Sequence, residues 1–77
     1  MQVELFDVKK NKSCKFVRCK DSQKQKELFS YGFIFGVEIE ILSKAKHCVV
    51  VRVLDGVFSL NCKLAKEILV EVDGGDE

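Results

Sequence analysis

The middle of the chain shows the clearest alternation of apolar and polar residues. In Val37–Leu42, valine and isoleucine alternate with Glu38 and Glu40. A period of two is typical of a strand with one buried face. Cys48–Leu54 is rich in β-branched residues and predicts a second strand. The polar stretch between these two runs predicts a loop.

A hairpin signal follows the second strand. Asp55 and Gly56 stand between two apolar runs. An Asp-Gly pair in this position favours a type I′ turn, in which both central residues have positive φ. Val57–Leu60 is therefore predicted to pair back as a third strand.

The first half of the chain predicts a strand and then a helix. Cys14–Cys19 is a short strand candidate, and Lys24–Tyr31 contains good helix formers. Ser22 and Gln25 have the spacing of a capping box, which places the start of the helix. Gly32 lies where a left-handed residue is expected to end it.

The end of the chain predicts a helical turn and a closing strand. Asn61 is suited to cap a turn through Lys66, and Ile68–Val72 is the strand. The whole pattern predicts a mostly β fold. We expect a small, partly open SH3-like barrel of about five strands, with one short α-helix and a helical turn before the last strand. Residues 1–73 are predicted to form this domain and residues 74–77 a flexible C-terminal tail.

The length restricts the possible functions. A chain of 77 residues forms one small domain. Such a domain has little surface left to enclose a substrate. The single histidine has no Ser/His/Asp or Cys/His arrangement around it, and no phosphate-binding P-loop motif occurs. We therefore expect a binding or adaptor module rather than an enzyme.

The sequence contains no membrane or export signal. No segment reaches the roughly 18 to 20 apolar residues that span a bilayer. The first residues lack the basic and apolar regions of a secretory signal. We expect a cytoplasmic protein without direct membrane insertion.

The small net charge conceals an uneven distribution. Residues 1–26 hold eight basic and three acidic residues, a net of +5, and residues 27–77 hold five basic and nine acidic residues, a net of −4. A dipolar surface can orient a protein partner. The basic third, with Phe16, Phe33 and Phe35, also permits a small barrel that binds nucleic acid. The acidic residues of the later strands oppose that reading, so we expect no nucleic-acid partner.

The cysteines leave one further alternative. None of the four forms a C-x-x-C pair, so the paired spacing of zinc ribbons and thioredoxin-like redox motifs is absent. A protein that binds a transition metal directly would have to use side chains spread along the chain. These are Cys14, Cys19, His47, Cys48 and Cys62. We expect no cofactor and no metal site.

The stretch from Gln25 to Ile41 resembles the core motif of the ferrous iron transport protein A (FeoA) family. That motif is a basic helix ending in Leu-x-x-x-Gly, a hydrophobic residue, a turn ending in Gly and a Val/Glu-rich strand. Leu28, Gly32 and Gly36 stand at the matching positions. The chain departs from the family at Phe35, where the usual turn has proline.

The resemblance implies an accessory or regulatory role in bacterial ferrous iron uptake. The implied partner is the membrane ferrous iron transporter (ferrous iron transport protein B), contacted at its cytosolic GTP-binding domain. The protein would then lie in the cytoplasm, peripheral to the inner membrane through the transporter. Our candidate contact residues are Lys24, Lys26, Phe33 and Phe35.

Overall fold

The computed structural model describes residues 1–72. This part of the chain forms six strands, one 3-10 turn and two α-helices. The strands are β1 (Gln2–Glu4), β2 (Ser13–Cys19), β3 (Glu38–Lys44), β4 (Cys48–Val53), β5 (Gly56–Asn61) and β6 (Ile68–Glu71). The 3-10 turn is Leu5–Asp7, and the helices are α1 (Ser22–Ser30) and α2 (Cys62–Glu67). The predicted tail, residues 74–77, lies outside the described residues.

The strands form one antiparallel sheet in the order β1-β6-β2-β3-β4-β5. The register shifts between Phe16 and Arg18 of β2, and again between Ile41 and Ser43 of β3. Such shifts bend a strand and increase its twist. They let the sheet curl around a single core, as predicted for a partly open barrel.

The core is built from the apolar positions of the alternating strands. In β3, Ile39 and Ile41 are buried, and Glu38 is exposed. The sequence prediction of a half-buried strand is confirmed. Fully buried residues from three strands meet there: Ile39, Ile41, Val51, Ile68 and Val70.

The start of α1 differs from the predicted capping box. Asp21, rather than Ser22, is the N-cap, and its carboxylate accepts from the N–H groups of Gln23 and Lys24. The side-chain oxygen of Gln25 accepts from the backbone N–H of Cys19 at 2.9 Å. A charged acceptor one residue earlier caps the helix, so Gln25 is left to tie α1 to the end of β2.

The end of α1 follows the sequence prediction and adds a Schellman motif. Gly32 has φ of 101°, in the left-handed region. Its N–H donates to the carbonyl of Phe29, and the N–H of Phe33 donates to the carbonyl of Leu28. This pairing brings the residue after the glycine back against the last turn of the helix. Leu28 and Phe33 are both buried.

The sequence analysis missed the first strand. Residues of β1 pair with β6, with Val3 opposite Val70. The 3-10 turn that follows buries Leu5 completely. Three residues are too few to show a period, so only the pairing with β6 defines this strand. The sheet therefore has six strands where about five were predicted.

The β4–β5 turn also differs from the prediction. Val53 pairs with Gly56, so the two loop residues are Leu54 and Asp55. Only Leu54 has positive φ, at 54°, and the predicted type I′ turn at Asp55-Gly56 is wrong. Glycine is needed at position 56 for another reason. A Cβ there would lie 2.9 Å from the ring of Phe58.

Replacing Leu54 by glycine is expected to stabilise the fold. A left-handed conformation costs a bulky residue about 1–2 kcal/mol, and the Leu54 side chain is 64% exposed and buries little area. We expect Leu54→Gly to raise the free energy of unfolding by up to about 1 kcal/mol in urea denaturation. Asp55→Gly is the matched control, because Asp55 has no positive φ. It should lower stability by about 0.5–1 kcal/mol. Equal destabilisation by both variants would contradict the strain at Leu54.

Candidate functional site

A groove lies between α1 and β5. Its volume is about 550 Å³. One wall is the face of α1 that carries Lys24, Glu27 and Tyr31, and the other is residues 57–61 of β5. Lys63 and Leu64 of α2 also line it. This size falls within the range of small-ligand and peptide sites.

Aromatic rings form the floor of the groove and connect it to the core. The ring centroids of Tyr31 and Phe58 are 5.7 Å apart, and those of Phe33 and Phe58 are 5.5 Å apart. Phe33 also meets Phe16 edge to face at 6.1 Å. These separations are typical of favourable ring pairs. The chain of rings fixes the position of the floor relative to the sheet.

The structure separates the four predicted contact residues. Lys24 is half-buried at the groove, with its Nζ 3.3 Å from a carboxylate oxygen of Glu67. Lys26 is exposed. It follows Lys24 by two residues, so its side chain points to the opposite side of α1, away from the groove. Phe35 is 80% exposed. The four residues do not form one site.

Phe33 is a correction to the sequence analysis. It is one of the four candidate contact residues, but only 1% of its surface is exposed. The Schellman motif places its side chain against Leu28 and inside the barrel. Its ring is therefore part of the core, where it packs beneath the groove against Phe16 and Phe58.

Sequence reasoning missed an exposed apolar edge of the groove. Tyr31 and Val57 line the groove and are 58% and 60% exposed. Leu54 lies beside them, since its Cδ1 would be 3.0 Å from a Cβ on Gly32. We call Tyr31, Leu54 and Val57 the apolar rim. A leucine directly before Asp-Gly was the available signal, because tight turns are normally polar.

The buried thiols are held in the protonated form. Burial raises the pKa of the Cys14 thiol from 9.0 to about 12, and the charge of Glu38 adds to the increase. Burial also raises the pKa of Cys19. The thiolate is the form that binds metals. Within residues 1–72, no group of three His, Cys, Asp or Glu side chains is placed to hold a metal ion.

The curled antiparallel sheet, the single core and the groove beside an edge strand define a small SH3-like barrel. Within the described part of the chain, no polar or charged side chain is buried. No helix among residues 1–72 is long and apolar enough to span a membrane.

The model of the FeoA domain matches residues 3–72. The chain therefore belongs to the FeoA family.

Solved structures share this fold. A FeoA-like protein from Clostridium acetobutylicum has 28% identity and a TM-score of 0.81, covering 92% of this chain and 86% of that one. The zinc complex of FeoA from Stenotrophomonas maltophilia has 22% identity and a TM-score of 0.78, covering 92% and 89%. A manganese-dependent transcriptional repressor has 16% identity and a TM-score of 0.80, covering 91% of this chain and 41% of the repressor. No curated protein sequence matches the chain.

The raised pKa of Cys14 gives a prediction for alkaline solution. The folded chain keeps this proton up to a pH of about 12, whereas the unfolded thiol loses it near 9.0. The unfolded state therefore binds fewer protons in this window, so stability is full below it and falls as pH rises through it. The slope should approach about 1.4 kcal/mol per pH unit. Urea denaturation under reducing conditions at several pH values measures it.

Cys14→Val is the control for this titration. Valine fills a similar space on the strand and carries no proton. The variant should lose less stability between pH 9.0 and about 12 than the parent chain, although other groups titrate in both. Parallel stability profiles of the two chains would contradict a titrating, buried Cys14.

Proposed function

We propose that this protein is a non-enzymatic accessory protein of bacterial ferrous iron uptake. It acts by contact with the cytosolic GTP-binding domain of the ferrous iron transporter, ferrous iron transport protein B. Membership of the FeoA family supports the pathway. The Stenotrophomonas maltophilia relative is described as a candidate ferrous iron transport activating factor. The proposed location is the cytoplasm, peripheral to the inner membrane through the transporter.

The exposed apolar surface is the observation that carries a protein-contact role. Large apolar side chains are exposed around the end of α1 and the β4–β5 turn. They are Tyr31, Ile34, Phe35, Leu54 and Val57. Clusters of this kind on a small domain mark interaction surfaces. Because the buried interior of the described residues is apolar throughout, the groups that can contact a partner lie on the outside of the barrel.

Phe35 is the strongest single candidate for the contact. It is 80% exposed, in the turn between α1 and β3. The turn is fixed, because Gly36 has φ of 87° and its N–H donates to the carbonyl of Phe16 at 2.8 Å. Because the backbone of this turn is already ordered, little backbone entropy is lost when a partner covers the ring. It has the character of a binding hot spot.

Substituting Phe35 is expected to weaken binding without unfolding the chain. Phe35→Ser should raise the dissociation constant for the transporter's purified cytosolic domain by about tenfold or more, measured by calorimetry. The thermal midpoint should change little, because the ring is exposed. Phe29→Ser is the matched control. Phe29 is 65% exposed and lies on the side of α1 away from the groove.

Two results would count against the proposal. If the parent chain shows no binding to this domain at tens of micromolar, the transporter contact is wrong. If Phe29→Ser weakens binding as much as Phe35→Ser, the effect is general loss of apolar surface and Phe35 has no special role.

A further inference from the structure

One edge of the sheet faces the groove. Within residues 1–72, β5 pairs with β4 alone. Val53 and Gly56 flank a two-residue hairpin turn, so their backbone N–H and C=O groups hydrogen-bond to each other. In an antiparallel pair such hydrogen-bonded positions recur at every second residue, so Phe58 and Leu60 also hydrogen-bond to β4. The N–H of Cys62, in the same series, donates to the carbonyl of His47 at 2.8 Å. The backbone groups of Val57 and Ser59 therefore point away from β4.

This edge lacks the usual protection against pairing. Exposed edge strands are commonly guarded by lysine, by proline or by being very short. β5 has six residues, Gly56–Asn61, with no charged residue and no proline. The other edge strand, β1, has only three residues. β5 is thus the edge that is chemically ready to accept another strand.

The position of α1 beside the groove limits what can pair with β5. α1 stands across it, with Lys24, Leu28 and Tyr31 opposite residues 57–61. A neighbouring strand needs about 4.8 Å of space next to β5. The sheet edge of a second copy of this protein would bring more strands behind it, toward the α1 residues that line the same groove. A single extended segment brings no further strands with it.

The walls specify the chemistry of that segment. Tyr31, Phe58 and Leu64 present apolar surface, which suits apolar side chains at alternate positions. Lys24 and Lys63 line the groove against one acid, Glu27. Lys24 is already paired with Glu67. Lys63 has no ion pair among the described residues, so the end of the groove near α2 favours a negative charge.

We propose that the groove binds an extended segment of the partner protein, which adds to β5 as an antiparallel strand. The segment is about five residues long, with apolar side chains at alternate positions and an acidic residue at its N-terminal end, beside Lys63. The identity of the partner rests on the function proposed above. The mode of binding rests on the edge strand and the groove.

The first experiment uses the transporter's cytosolic domain as the probe. Amide hydrogen exchange of the full chain is measured with and without it. We expect exchange at Val57 and Ser59 to slow by about tenfold or more in the complex, with Val3 on the other edge unchanged. If the domain binds and these two amides are not protected, strand addition is overturned while the transporter contact stands.

Proline at the outward position separates backbone pairing from side-chain contact. Ser59→Pro removes an N–H that points away from β4, a place where edge strands tolerate proline. We expect it to weaken binding by about tenfold or more, while Ser59→Ala binds like the parent chain. Binding that survives in a folded Ser59→Pro variant overturns the proposal.

The second experiment does not depend on the transporter. The probe is the capped peptide acetyl-Glu-Val-Thr-Val-Thr-Val-amide, titrated into the full chain by NMR. We expect saturating shifts at the amides of Val57, Ser59 and Asn61. Two peptides carry N-methyl groups at alternate positions. One should lose binding and the other keep it, because only one set of N–H groups faces β5.

Charge substitution tests the end of the groove. Lys63→Glu should weaken peptide binding by about three- to tenfold, and more so at low salt. Lys46→Glu, in the loop between β3 and β4, is the control and should have no effect. If the peptide causes no shifts in the parent chain at millimolar concentration, the β5 edge is not a strand acceptor, whether or not the transporter binds. If both methylated peptides bind equally, side chains alone make the contact and the proposal fails.

Discussion

The packing of Phe33 joins parts of the sheet that are not neighbours. Its ring lies against Phe16 of β2 on one side and Phe58 of β5 on the other, although two strands separate β2 from β5 in the sheet. The curl of the barrel therefore depends on a side chain supplied by the end of α1. Gly32 makes this possible, because its positive φ turns the chain back into the interior. The same turn leaves Tyr31 at the surface. Gly32 therefore accounts both for the buried contacts of Phe33 and for the position of Tyr31 in the groove.

The sequence predicted the elements whose signal is periodic or local. The alternation in β3, the β-branched run of β4 and the glycine that ends α1 each have a physical cause within a few residues. The missed features depend on distant partners. β1 exists because β6 is beside it, and Gly56 is required by the ring of Phe58. At the site, the sequence indicated Phe33 and Phe35 alike as contact residues, and only Phe35 is exposed. The burial of Phe33 follows from a contact between the helix end and two strands that spacing does not show.

The interior of the barrel provides its stability, and one side of its surface presents the exposed apolar side chains. In the described residues the interior is entirely apolar, which suits a domain with little stability to spare for buried charge. The turn at Phe35, where the family usually has proline, gains an exposed ring and keeps its shape through Gly36. Leu54 holds a strained backbone conformation at the apolar rim. Strain of this kind persists where the surrounding structure holds it in place.

The two ends of the described chain lie together, away from the groove. The N–H of Val72 donates to the carbonyl of Met1, and the N-terminal ammonium group forms an ion pair with Glu71. No residue of β1 or β6 lines the groove. The barrel is thus a module that can be spliced into a longer polypeptide at a single point, with its groove still open. In the manganese-dependent repressor the shared fold covers 41% of the chain, so this barrel also occurs as part of a longer polypeptide.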